Sequence, residues 1–283
     1  MPSRLLYIAP HRPNRSPGQR FRFEQYINFL ESKGVSITYS YLLNARNDKQ
    51  FYQRGNYFLK LWITLKGFII RLFDVIRASK FDYIIIYREA HFLGFSIFEK
   101  WLSHRKAATI FDFDDAIWLN DISESNKNLS WLKSSTKTAK IAKHVDVVSV
   151  GNSFLAKYAS QFNKNTVIIP TAIDTNIYKY RGARSTEIVT IGWIGSYTTL
   201  KHFQSAIPML KAVKQKYAER IDFKVIVDVD YNVPELNLTS TKWNANTEFA
   251  ELNKIDIGIM PLPNDEWSHG KCGFKSRLVS ITL

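Results

Sequence analysis

The chain opens on a short apolar run, Arg4–Ala9, closed by Pro10 and followed by a loop, His11–Gly18, rich in Pro, Asn, Ser and Gly. An apolar run that ends in turn-forming residues predicts a buried strand. Over Arg20–Lys33 the spacing becomes helical, with Phe23, Tyr26, Ile27 and Leu30 on one face, and Gly34 supplies the stop. Val35–Leu43 reads as the second strand. The alternation continues with a helix over Tyr57–Ala78, a strand over Asp82–Tyr87, a helix over Phe92–Leu102 and a strand over Ala108–Phe113. A helix over Leu129–Lys143, a strand over Val145–Val150, a short helix over Phe154–Phe162 and a strand over Thr166–Ile169 complete the first half. Uninterrupted apolar strands set between helices predict a parallel sheet covered on both faces.

The pattern restarts after Tyr180–Thr186 (YRGARST), a polar stretch with a glycine that reads as a linker. A strand over Ile188–Ile194, a glycine turn, a helix over Leu200–Tyr217 and a strand over Phe223–Asp228 come first. A short strand Thr241–Trp243, a short helix Thr247–Leu252 and a strand Ile257–Met260 follow. The expected fold class is therefore α/β, with two Rossmann-like domains over residues 1–180 and 181–283. The second is expected to be incomplete, with about four strands where such domains usually have five or six.

The helix over Tyr57–Ala78 is two-sided. Lys60, Lys66, Arg71, Asp74 and Arg77 fall within an arc of roughly 140° at about 100° per residue. Leu61, Trp62, Leu65, Phe68, Ile69, Leu72, Phe73 and Ile76 occupy the rest. One expectation is a helix packed on the sheet by its apolar side, with the lysines solvated. The other is an interfacial helix on an anionic membrane surface.

Composition narrows the class. An apolar fraction of 45% and an aromatic fraction of 14% supply packed cores and argue against disorder. Cys272 is the sole cysteine, so no intrachain disulfide forms, and a reducing compartment is the simplest assignment. Leu5–Ala9 is too short for a secretory signal, and no stretch reaches the roughly 18–20 uncharged residues of a membrane span. The expected location is cytoplasmic, soluble or peripheral on the membrane. The net charge of +14 suits nucleic acid, an anionic membrane face or anionic small substrates. No helix-turn-helix, RNP or zinc-finger pattern supports nucleic acid, which leaves the other two.

Four stretches carry candidate chemistry. Gly192-Trp-Ile-Gly195-Ser196 lies between a strand and a helix, where glycine allows close approach to a phosphate and a helix N-terminus favours negative charge. Ser196, Thr198 and Thr199 can cap that helix or donate to phosphate oxygens, and Lys201 adds a cation; a plain strand-to-helix turn is the alternative. Asp265, Glu266, Lys271 and Lys275 follow a later strand, at the sheet edge where α/β folds bind ligands. The lysines suit a diphosphate and the acids suit sugar hydroxyls, whereas Cys272 between them reads as filler because no base partner is evident. Asp112, Asp114 and Asp115 also end a strand; two such acids bind an acceptor, cap the next segment or, as the minority case, hold a divalent metal. Gly18, Arg20 and Arg22 open the first helix, with two arginines suited to an anionic group or to solvent.

Together these stretches give the chain a resemblance to the GT-B glycosyltransferases, specifically the retaining glycosyltransferase family 4. It rests on LLYIAP with SPGQRFRFEQYINFLESKGVSIT, on FDFDDAIW at 111–118, on VDVVSVGNSFLAKYASQFNKNTVIIPTAIDTNIY at 145–178, and on IGWIGSYTTLKHF with IGIMPLPNDEWSHGKCGFK. It spans about residues 3–275. The resemblance implies two facing Rossmann-like domains and transfer of a sugar, with retention, from a nucleotide-sugar donor to a glycan or lipid-linked acceptor. It further implies a role in cell-surface polysaccharide synthesis and no cofactor or metal beyond the donor itself. It places Gly195, Ser196, Lys201, Lys271 and Lys275 on the donor phosphates, and Asp265 and Glu266 as the acids at the donor sugar. Gly18, Arg20, Asp114 and Asp115 then face the acceptor. The chain departs from the family after Lys275, where Ser276–Leu283 lacks the expected acid or amide. That departure implies premature termination, with a non-catalytic remnant as the alternative to an active enzyme.

Overall fold

The computed structural model describes residues 2–53, 55–119, 134–179 and 187–273. The expected linker, Tyr180–Thr186, and Lys275 lie outside the described residues. Residues up to Thr171, together with His269–Cys272, form one compact unit; Ala172–Ser268 with Gly273 forms a second.

In the first unit the strands are β1 (Ser3–His11), β2 (Val35–Leu43), β3 (Tyr83–Tyr87), β4 (Ala108–Phe113), β5 (Val147–Val150) and β6 (Thr166–Ile168). They make one parallel sheet in the order β2-β1-β3-β4-β5-β6. The helices are α1 (Pro17–Arg22), α2 (Ile27–Ser32), α3 (Ala45–Phe51), α4 (Tyr57–Arg77), α5 (Ile97–Ser103), α6 (Lys137–His144) and α7 (Ser153–Ala159). β1 lies inside the sheet, and its residues 5–10 are all buried, as a strand covered on both faces requires. Alternation along it separates two cores. Leu6 and Ile8 join Ile86, Phe98, Phe111 and Leu155, while Leu5, Tyr7 and Ala9 join Phe23 and Tyr87 on the other face.

The single helix expected over Arg20–Lys33 is broken. Phe23 leaves helical geometry at φ −138°, ψ −50°, and a 3-10 turn, Glu24–Tyr26, links α1 to α2. The break lets the Phe23 ring stack on Tyr7 at 3.8 Å and 6°. That aromatic contact in the core outweighs the few tenths of a kcal/mol per residue of helix propensity that the break forgoes. Gly34 ends α2 at φ +81°, as its position in the pattern predicts. α3 has no counterpart in the expected elements; its Asn44 cap accepts from the Asn47 N–H at 2.8 Å.

α4 corrects the expectation about its faces. Its polar arc is turned inward: Lys60, Arg71 and Asp74 are buried together with Ile63, Gly67 and Val75. Arg71, 0% exposed, donates to the backbone oxygens of Ala9 and Ala90, to Ser40 Oγ at 2.7 Å and to Asp74 Oδ2 at 2.7 Å. Buried carbonyls must find donors, and here a guanidinium supplies them. The lysines-outward arrangement therefore fails at Lys60, while Lys66 is exposed; Phe68 and Leu72 pack on the core, but much of the apolar side of α4 faces outward (Trp62 64%, Phe73 63%, Ile76 71% exposed).

The second unit holds β7 (Val189–Ile194), β8 (Ile221–Val227), β9 (Thr239–Lys242) and β10 (Ile257–Gly258), parallel in the order β10-β7-β8-β9. Its helices are α8 (Leu200–Tyr217), α9 (Glu248–Leu252) and the single turn α10 (Glu266–His269). Phe203, Ala206 and Leu210 of α8 pack on Trp193, Phe223 and Val225. Tyr178 belongs to this unit: its hydroxyl donates to Glu248 Oε2 at 2.9 Å.

Candidate functional site

In a parallel α/β sheet the strands' carboxyl ends gather polar loop residues at one edge. In the first unit that edge collects the ends of β1, β3, β4 and β5. Gln19, fully buried in α1, locks the first loop there. Its amide nitrogen donates to His11 O at 2.9 Å, and its amide oxygen accepts from the His11 N–H at 3.1 Å.

Asp114 and Asp115 stand just past β4 and are held by groups from other segments. Arg88, just past β3, donates from Nη2 to Asp114 Oδ1 at 2.8 Å and to Asp115 Oδ2 at 2.5 Å. The Tyr87 hydroxyl donates to Asp114 Oδ1 at 2.9 Å. Lys271 Nζ donates to Asp115 Oδ1 at 2.9 Å, and Cys272 Sγ donates to Asp114 O at 3.0 Å. Burial pushes the Asp114 carboxyl up, yet the Arg88 charge and its hydrogen bonds, with help from Tyr87 and Arg22, hold it below the usual carboxylate range. Burial and the two neighbouring aspartates push the Cys272 thiol up to about 12, so it is a neutral packing group, not a nucleophile. Arg88 adopts φ +62°, a left-handed conformation uncommon outside glycine, which aims its guanidinium at both acids.

Asp112, two residues earlier in β4, takes Arg22 as a bidentate partner. Arg22 also donates to Ser149 Oγ at 3.1 Å and to Ile169 O. Burial raises the Asp112 carboxyl's pKa despite that partner. The other arginine of the pair, Arg20, lays its guanidinium over the Phe21 ring at 5.0 Å. Gly18 is required by close approach: a Cβ there would lie 1.8 Å from the Tyr87 hydroxyl oxygen and 2.9 Å from Asp114 Oδ2. Gly18, Asp114, Asp115 and Lys271 are therefore brought together, whereas Arg20 turns to a ring. Lys271 sits here by way of Asn152, whose amide caps α7 through the Leu155 N–H (2.9 Å) and donates to the backbone oxygens of His269 and Lys271.

A second cluster lies beside the first loop. Asp48 of α3 accepts from Arg12 Nη1 at 2.9 Å and Arg15 Nε at 2.5 Å, with His11 Nδ1 at 3.8 Å. Burial lowers the His11 imidazole to about 4, with Arg15, Arg88 and Arg12 adding to it against Asp48.

In the second unit, the turn after β7 is built mostly by its own residues. A Cβ on Gly195 would lie 2.1 Å from Trp193 Cη2, so ring packing alone demands the glycine. Ser196 and Thr199 form a capping box, the Ser196 N–H donating to Thr199 Oγ1 at 3.1 Å. The Tyr197 N–H donates to Asp228 Oδ1 at 2.6 Å, a carboxylate at the mouth of α8. Lys201 is exposed on the first turn of α8, where the helix dipole disfavours a cation unless an anion is near. Asp265 caps α10, accepting from the Ser268 N–H at 2.8 Å, and Glu266 is exposed on its first turn. Trp267 lies on His202 of α8 at 5.0 Å, which joins this segment to the helix carrying Lys201. Among the described residues no group of three or more His, Cys, Asp or Glu is arranged to hold a metal ion.

Arg88, Tyr87, Gln19, Asn152 and Asp48 were absent from the expected site. One signal was available: Arg88 follows the buried strand YIIIY as Asp114 follows IFDF, and both stand where strand ends collect polar groups.

No family model and no curated protein matches the sequence. Solved structures do match in fold. A glycosyltransferase from Rickettsia africae ESF-5 aligns with a TM-score of 0.54 at 11% identity, over 90% of this chain and 72% of that one. The S. aureus MnaA–UDP complex aligns at 0.57 and 11%, over 90% and 73%. An E. coli structure described as trehalose-6-phosphate bound with UDP-2-fluoro glucose aligns at 0.53 and 11%, over 95% and 82%. The fold is GT-B, with two Rossmann-like units.

Proposed function

We propose that the protein is a glycosyltransferase that moves a sugar from a nucleotide-sugar donor to a glycan or lipid-linked acceptor. The observation that carries this is the match, over nine-tenths or more of the chain, to GT-B structures, two of which hold UDP or a UDP-sugar. In this proposal Gly195, Ser196 and Lys201 serve the donor phosphates, and Asp265 and Glu266 the donor sugar. Gly18, Arg20, Asp114 and Asp115 serve the acceptor. The bond from the anomeric carbon to the diphosphate oxygen breaks, and a bond to an acceptor hydroxyl oxygen forms on the same face, giving retention. The acceptor proton passes to the departing diphosphate, whose growing charge is stabilised by Lys201 and the start of α8. Lys271 also serves the donor diphosphate in this proposal. This reading places the reaction in cell-surface polysaccharide synthesis.

The test is calorimetric titration with UDP and with GDP, followed by a donor-hydrolysis screen over sugar nucleotides. Saturable binding of one nucleotide, weakened at least tenfold by Lys201→Ala, is expected. Absence of binding to either nucleotide overturns the proposal.

A further inference from the structure

We infer that the outward face of α4 is a docking surface for an anionic lipid bilayer, on which the helix lies flat. This inference does not depend on the transferase proposal. Phe58, Trp62, Leu65, Ile69, Phe73 and Ile76 are each more than half exposed, and they share one side of a 21-residue helix. At about 100° per residue their positions span an arc of only ~80°, so they form one continuous stripe. Single exposed apolar residues are ordinary, but a contiguous stripe on one helix marks an interaction face. The stripe exists because the polar residues of α4 are committed inward. Arg71 and Asp74 satisfy strand-end carbonyls and Ser40, so rolling the helix to hide the stripe would strip those groups of partners. The exposure is thus built into the fold.

Charge selects the occupant. Lys66 is exposed at the margin of the stripe, and Arg77 is half-buried at its end. α5 packs on α4 through Phe98 and Phe68 (rings 4.8 Å apart), and it exposes Trp101 and Lys100, with Arg105 and Lys106 exposed just beyond. A second copy of a chain carrying +14 would bring these cations against their own kind. An anionic bilayer complements them while its acyl boundary receives the rings and aliphatic chains. No helix among the described residues is long and apolar enough to cross a membrane, so α4 lies on the bilayer without spanning it.

The experiment is flotation of the full chain with phosphatidylcholine vesicles and with vesicles that also contain phosphatidylglycerol, at low and high salt. Sedimentation velocity without lipid runs in parallel. The wild-type chain should float with the anionic vesicles at least tenfold better than with the neutral ones, since each surface cation is worth roughly fivefold. Leu65→Glu/Ile69→Glu and, separately, Phe73→Ser/Ile76→Ser should lower flotation at least tenfold while leaving the melting temperature unchanged. Equal flotation of wild type and both variants overturns the inference. So does failure of the wild type to float with anionic vesicles. A wild-type dimer that the variants dissociate would show that a second copy covers the face. A lowered melting temperature in both variants would show that another part of the chain covers it. Either of those results also overturns the inference.

Discussion

Lys271 and Asp115, 156 positions apart, form an ion pair at 2.9 Å within the first unit, each about a fifth exposed. Asp115 also receives Arg88, so the acid is shared between two cations from different segments. Replacing Lys271 by Met leaves Asp115 with one partner and should cost ~0.5–1.5 kcal/mol of stability, since the pair is partly screened by solvent. Urea denaturation measures this. If Lys271 also serves the diphosphate, UDP affinity falls in the same variant by more than the stability change explains; unchanged affinity removes Lys271 from the donor side.

Gly18 and Tyr87 make a second separable pair. Gly18→Ala places a methyl 1.8 Å from the hydroxyl oxygen of a buried tyrosine, so Tyr87 must move and its bond to Asp114 is disturbed. A loss of ~1–3 kcal/mol is expected. Tyr87→Phe removes the clashing oxygen, so the double variant should be less destabilised than the sum of the singles. Strict additivity in a double-mutant cycle would show that the clash is relieved elsewhere.

His91 gives a pH dependence with a definite sign. It is fully buried, its Nε2 lies 3.1 Å from Thr64 O, and burial lowers it from 6.5 to about 4. The folded state therefore favours the neutral ring. Its contribution is complete above the unfolded value of 6.5 and is lost as pH falls through about 4. Between those limits the unfolded chain binds the extra proton, giving a slope of up to ~1.4 kcal/mol per pH unit. His11, likewise lowered to about 4, adds a second such group. His91→Gln should flatten the stability-versus-pH curve over this range by about one proton, and an unchanged slope would rule His91 out as its source.

The two sides of α4 should respond oppositely to substitution. Arg71→Met leaves Asp74, 1% exposed, and the Ala9 and Ala90 carbonyls short of a donor, at a cost of about 3–5 kcal/mol. Trp62→Glu, on the exposed side, should stay within ~0.5 kcal/mol of wild type. Thermal melts of the two variants check the inverted orientation directly, and equal losses would refute it.

The sequence alone determined the alternation of strands and helices, the parallel character of the sheet and the restart of the pattern in the second unit; the strand order came from the structure. β2, β4 and α8 fall on the residues expected of them, because apolar runs and Gly or Pro punctuation act over a few neighbouring residues. It also placed Asp114 and Asp115 at a strand end and Gly18 at the start of the first helix, since both are local features. Tertiary structure decided what those residues meet. Arg88 reaches Asp114 across 26 positions, and Lys271 reaches Asp115 from a backbone that Asn152 holds by a hydrogen bond. Tertiary structure also decided which side of α4 is covered. Periodicity shows that a helix has two faces; which one turns inward depends on Arg71 meeting the carbonyls of Ala9 and Ala90, which only the assembled sheet brings beside it.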